Sequence, residues 1–442
     1  MNDHRAALTG LLAGVGLVVL AFVAEPLFSF DAHVFFAPLH AHWMPRVGPA
    51  TVPVLVLAAA VVVWTPRLAA TLPWRRLLAG VYVAGLAWIL LLALVDGVGG
   101  IADPPLHEYE YLRTARMIDD VPAMLQEFVS RIPYSAEPRN WPSHIAGHPP
   151  GAFLFFIALA RIGLDSGLAV GLVLCVLGAT TPVLVLATMR TLGAEAAARA
   201  AAPFLTVGPV AIWVGVSADG GLFAPAVAAG LLVLAVAARR GSTGVAVAAG
   251  LVLGCTVYLS YGFVLVGVLA LAVLLVAGSW RPLLPAVLAA LVPTAVFLAF
   301  GYSWFEAYPV LRERYFDGWG GRRPYGYWVW ANLAVLLLSA GLALAAATGV
   351  LVRRLGRLVR AGRRALAGAE RTPVIMGSAA LLVVAAATLS GMSKAEVERI
   401  WVPFVPWALL LTALLPSRWR RPALLLQVLG AVLLQHLFSS YW

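Results

Sequence analysis

Apolar residues in this chain come in blocks rather than in alternation. Mostly apolar runs of roughly 16–22 residues recur from one end to the other, the length a helix needs to cross ~30 Å of hydrocarbon. Polar residues are gathered between the blocks. Short alternating segments, which would mark spanning strands, do not occur. The pattern predicts spans at 7–24, 49–64, 77–96, 167–189, 199–216, 220–238, 243–259, 261–277, 282–300, 328–350, 373–390, 400–416 and 421–438. The piece from Ala152 to Arg161 is too short to cross comfortably and reads as a half-buried or re-entrant helix. The expectation is an all-α, polytopic transmembrane fold with about thirteen crossings. It forms one domain over 1–442, with two spans in 1–76, a core in 77–416 and the last span in 417–442.

Composition supports this class. The chain is 62% hydrophobic and 12% charged, too few charges to cover a water-soluble domain of this length. The net charge of +11 is not a nucleic-acid signal, because the bases sit in short connections between spans. Arg67/Arg75/Arg76, Arg190/Arg199, Arg239/Arg240, Arg281, the seven arginines from Arg353 to Arg371, and Arg418/Arg420/Arg421 all do so. The positive-inside rule then sets the N-terminus in the cytoplasm and the C-terminus outside, in a cytoplasmic membrane. The run from Ala7 to Ala24 after Arg5 mimics a signal peptide, but the topology works with it retained as the first span. Cys175 and Cys255 lie inside apolar runs and read as small hydrophobes.

With that topology, the loops 25–48, 97–150, 217–219, 258–262, 301–327 and 391–399 share the outer face. They hold nearly every candidate catalytic residue. The long loop 97–150 carries Asp103 and His107-Glu108-Tyr109-Glu110-Tyr111, with Asp96 just before it, and closes on His144 and His148-Pro149-Pro150-Gly151. Loops of this length in compact proteins are usually functional. Leu112 to Met124 reads as a short amphipathic surface helix. A carboxylate held beside a hydroxyl can take its proton; the bland alternative is a solvated acid or a helix cap. Asp219, in an outer turn, reads equally as a sugar or cation ligand and as an N-cap. His144 and His148 lack the spacing of a zinc site, so no metal is expected. Aromatics in 301–327, and Tyr258 and Tyr261, suit interfacial anchoring as well as stacking on sugars. Arg322 and Arg323, held outside against the charge rule, suit a phosphate.

Three of these elements carry a resemblance. His107-Glu108, Tyr111 and Ala115-Arg116 resemble the first-loop signature of the GT-C superfamily of membrane glycosyltransferases, which includes protein O-mannosyltransferases and aminoarabinose transferases. His148-Pro149-Pro150-Gly151 resembles the family's element opening the next helix, and Glu398-Arg399-Ile400-Trp401 with Pro403 and Pro406 resembles its late Glu-Arg element. They occur in family order and on one face, over about residues 77–416. The leading acid of the family falls on His107 here.

The resemblance implies an inverting transfer from a polyprenyl-phosphate sugar to a glycan, lipid or protein hydroxyl of the cell envelope, with no cofactor and no nucleic acid. It implies a base among Glu108, Asp103, Asp96 and His107, in that order of preference. Cations for the departing phosphate are Arg399, Lys394, Arg312, Arg314 and Arg116; further substrate contacts are Glu110, Tyr111, His144, His148, Asp219, Tyr258, Tyr261 and Glu398. The rival readings are a transporter or lipid flippase, which would place charges within spans, and a non-catalytic assembly factor, which the His107 departure suits.

Overall fold

The computed structural model describes residues 2–215, 217–361 and 368–440. The chain is about 75% helical. Among the described residues, six helices are long and apolar enough to cross a membrane: α1 (Asp3–Phe28), α2 (Thr51–Thr71), α3 (Trp74–Asp96), α4 (Gly167–Thr191), α5 (Asp219–Arg240) and α6 (Gly368–Leu389). Two bent pairs bring the number to as many as eight. Shorter apolar helices lie at Pro150–Arg161, Thr243–Val257, Tyr261–Ala277 and Val405–Leu414. Ser417–Leu437 is long enough, but Arg418, Arg420 and Arg421 at its start and Gln427, Gln435 and His436 further on interrupt its apolar character. The architecture is thus an all-helical bundle suited to a membrane.

Several expected spans take another form. The run 328–350 looks continuous, yet Tyr325–Ala340 and Ala343–Val359 meet at 114°. Gly341 makes the corner at φ +91°, where an L side chain is strained, and a Cβ there would lie 2.9 Å from Gln427 Cγ. The pair Leu283–Ala299 and Trp304–Asp317 bends by 77°, with Gly301 at φ +89° in the break. The run 400–416 is cut into Val397–Ile400, Val405–Leu409 and Leu410–Leu414, with Pro403 in the first break and Pro406 in the first turn of the second piece. The run 199–216 becomes Glu195–Thr206 and Ala211–Val214. Pro150–Arg161 has 12 residues, about 18 Å of helix, which is short of a crossing. The surface helix expected over 112–124 is two pieces, Leu112–Ala115 and Val121–Gln126, the second capped by Asp120.

The bundle has two polar ends. At one, Asp3 pairs with Arg353 and Arg354, and Arg354 reaches Glu370 at 2.8 Å. The ring of Trp419 meets that of His4 in the same region, and Arg199 donates to the carbonyls of Ala69 and Leu72 at 2.9 Å. These are the basic connections read from sequence. At the other end, β1 (His42–Trp43) pairs antiparallel with β2 (Phe438–Ser439), and Arg46 pairs with Asp96. The loops 97–150, 301–323 and 391–399 gather there, joined by the contacts below.

Candidate functional site

Val397–Ile400 is a single helical turn entered through Ala395 at φ +66° and Glu396 at φ +59°. Two consecutive non-glycine residues in the left-handed region are costly, so the surroundings must hold them. The amide of Asn332 does this: its Nδ2 donates to the Ser393 carbonyl at 2.6 Å and its Oδ1 accepts from the Ala395 N–H at 3.3 Å. The turn thereby aims Glu396, Glu398 and Arg399 inward.

Arg399 is the hub of a buried network. Its Nη1 donates to Asp219 Oδ2 at 2.9 Å and its Nη2 to Glu396 Oε2 at 2.9 Å. Nη2 also lies 3.0 Å from His144 Nε2. A guanidinium only donates, so Nε2 accepts. The remaining His144 proton then sits on Nδ1 and is donated to Glu110 Oε1 at 2.8 Å. Burial opposes the charge on Glu110 and Glu396, but the His144 hydrogen bond and Arg399 at the first, and Arg399 and Arg323 at the second, outweigh it and hold both carboxyls below the usual range. Arg399 is also buried, yet Asp219 and Glu396 keep it firmly charged. Asp219 enters from a π-helical turn, Asp219–Phe223, a local widening often found at functional sites. Gly220 and Gly221 pack so closely on Val214 and Leu174 that a Cβ would lie 2.3 and 2.5 Å from their atoms. Next to this network, Tyr111 Oη and His148 Nδ1 are 2.9 Å apart.

A cleft of about 420 Å³ opens beside the network. Its walls include Glu108, Tyr109, Arg131, Arg139, Trp141 and Arg314. The His144 N–H donates to the Tyr109 carbonyl at 3.1 Å, so the cleft wall and the network share one backbone contact. Glu108 and Arg139 are exposed.

The three motifs are brought together at this end, but not every expected residue joins them. Glu108 stands on the cleft and Asp103 is exposed beyond it. Asp96 is engaged by Arg46 and by Gln435 Nε2 at 2.9 Å, a structural role. His107 is half-buried, its ring 5.0 Å from that of Tyr109, and burial lowers its pKa. Of the five expected cations, Arg399 is in the network and Arg314 on the cleft. Lys394 turns inward to the carbonyls of Gly320 and Arg323 at 2.8 and 3.1 Å. Arg312 stacks over Phe316, and Arg116 donates to the Asp165 carbonyl at the head of α4. Tyr258 and Tyr261 are core residues: Tyr258 stacks on Phe297 and accepts the Gly151 N–H at its carbonyl, while Tyr261 bonds Tyr302 at 2.9 Å. Arg322 stacks over Trp319 and Arg323 pairs with Glu396 at 2.9 Å, so each has a protein partner.

Arg323, expected to meet a phosphate, instead joins the network through Glu396, and Glu396 and His40 belong to it without having been selected as site residues. Glu396 precedes Glu398 and Arg399 at the head of an apolar run, where charges are costly unless paired; that signal could have found it. His40 carries no such signal. Its N–H donates to Glu398 Oε1 at 3.4 Å, and burial pushes its imidazole down to about 4. Glu398 is 1% exposed and its Oε2 has no hydrogen-bond partner among the described residues. Burial pushes its carboxyl up to about 7. Among the described residues no group of three or more His, Cys, Asp or Glu side chains is placed to hold a metal ion. No family model matches the chain, and no curated protein matches it significantly.

Proposed function

We propose that the protein is a membrane glycosyltransferase of GT-C type, moving a sugar from a polyprenyl-phosphate donor to a hydroxyl of an envelope acceptor with inversion. The observation that carries this is the joining of three separated segments, 108–116, 144–148 and 396–399, at one polar end of an apolar bundle, where the first of them also lines an open cleft. Glu108, exposed on that cleft, is the base that takes the acceptor proton. The hydroxyl oxygen then attacks the anomeric carbon while the bond to the phosphate oxygen breaks. The phosphate departs as an anion, so it needs a cation and no general acid. Arg116 suits that role: it is exposed on the turn whose neighbours Thr114 and Met117 line the cleft, and it reaches the head of an apolar helix. Glu110, His144 and Arg399 fix the loop that presents Glu108.

The test is transfer by purified protein in nanodiscs from a panel of radiolabelled polyprenyl-phosphate sugars. Glu108→Gln is expected to lower turnover by ~10²–10⁴-fold while donor binding and melting temperature are kept. Equal turnover in wild type and variant would remove Glu108 from the base role. No turnover or donor binding with any donor would overturn the glycosyltransferase reading.

A further inference from the structure

The cleft is rich in positive charge that the protein does not neutralise. Three guanidinium groups, Arg131, Arg139 and Arg314, line it against one carboxylate, Glu108. Arg131 has a partner, Glu127 Oε1 at 3.0 Å, and it stacks 3.5 Å over the Trp141 ring. Arg314 is different. It is buried, and its partners are neutral: the carbonyls of Ile132 and Trp141, the latter at 2.9 Å, Asn140 Oδ1 at 3.5 Å, and Tyr134, whose ring lies 4.2 Å below the guanidinium. No carboxylate lies within 4.0 Å of it among the described residues. A buried cation without a counter-ion is costly, and at the wall of an open cleft it creates a fixed attraction for an anion. Arg139, exposed across the same cleft, adds a second charge free to swing onto a ligand.

Two further features narrow the ligand. Tyr109 and Tyr134 line the cleft and are 44% and 51% exposed; Arg314 lies 4.2 Å over one face of the Tyr134 ring, which leaves its other face and the Tyr109 ring for a sugar. Apart from Arg314, the lining comes wholly from residues 108–143 of the long loop, and none from the apolar spans. A lipid phosphate would bring its first isoprene units with it and would need an apolar wall beside the charge. The purely apolar groove on the bundle, lined by Ala226, Leu251 and Cys255, is instead formed by other helices.

We infer that the cleft binds an acidic saccharide, one bearing a carboxylate or a phosphate, with its charge toward Arg314 and Arg139 and its ring against Tyr109 or Tyr134. Calling this saccharide the acceptor rests on the glycosyltransferase reading; its binding does not, and is measured without turnover. The experiment is titration calorimetry of the full chain in nanodiscs with methyl glucuronoside, glucose 1-phosphate and methyl glucoside. The expected result is that at least one acidic probe binds about tenfold or more tightly than the neutral one, the difference shrinking as salt rises. Arg139→Ala, at an exposed position, is expected to remove most of that preference and leave the melting temperature unchanged. Glu108→Gln, which removes the one carboxylate of the lining, is expected to strengthen it. Equal binding of neutral and acidic probes, or an unchanged preference in Arg139→Ala, would overturn the inference. So would displacement of the acidic probe by sugar-free polyprenyl phosphate, because the cleft would then be the seat of the lipid phosphate. A failed transfer assay beside intact acidic binding would count against the glycosyltransferase reading alone.

Discussion

The guanidinium of Arg399 touches Asp219, Glu396 and His144, which lie 180, 3 and 255 residues away in sequence. Removing it strands the buried carboxylate of Asp219, while Glu396 keeps Arg323. Arg399→Met is expected to cost about 3–5 kcal/mol, measured as chemical or thermal unfolding in detergent; adding Asp219→Asn should recover part of the loss. Glu398 gives a pH signature. Its folded carboxyl titrates at about 7 against an ordinary 4.5, so the native state binds the proton more tightly than the unfolded one. Its protonated form favours the fold at low pH. Stability is therefore lost as pH rises from 4.5 through 7, by about 3 kcal/mol at most. Glu398→Gln should flatten that part of the melting profile; an identical pH slope in wild type and variant would refute the assignment. At this scale the sequence marked the segments that meet at this end, but not which side chains in them join the network. Glu108 and Glu110 sit two residues apart with the same chemistry, and one turns to the cleft while the other is buried on His144. Only the fold separates them, since the partner of Glu110 is 34 residues away.

Helix-level structure was legible where an apolar run is long and unbroken, as in α1, α2, α3, α5 and α6. It was hidden where hydropathy stays high across a change of direction. Gly341 is one glycine in an apolar run, and nothing local separates a tolerated helical glycine from the corner it makes. Close contacts between helices are equally silent in sequence. α1 packs against Ala343–Ala361 with almost no space: a Cβ on Gly10 would lie 2.4 Å from the Ala345 carbonyl oxygen, and one on Gly349 would lie 2.2 Å from that of Ala6. Gly10→Leu is expected to push the two helices apart, with a loss of about 1–3 kcal/mol or more. Gly16→Leu on the same helix, where a Cβ meets nothing within 4 Å, is the control and should fall within ~0.5 kcal/mol of wild type. Comparable melting temperatures for the two variants would show that this contact is not tight.

Across the whole molecule, charge is sorted to the two ends. Asp3, Arg353, Arg354 and Glu370 meet at one, and Glu110, His144, Asp219, Arg323, Glu396 and Arg399 at the other. The arginine-rich connections made the first end readable from sequence. The second was readable as a set of outer loops, but the contacts that weld them span most of the chain and leave no local trace. That span has a consequence for biogenesis. During synthesis, Glu110, His144 and Asp219 are all in place long before Arg399 leaves the ribosome. Until then the half-made bundle holds acids that lack their cation, and its polar end cannot close. The final quarter of the chain thus acts as the keystone of assembly, and a chain stalled before it would present an open, charged seam by which quality control could tell it from a finished one.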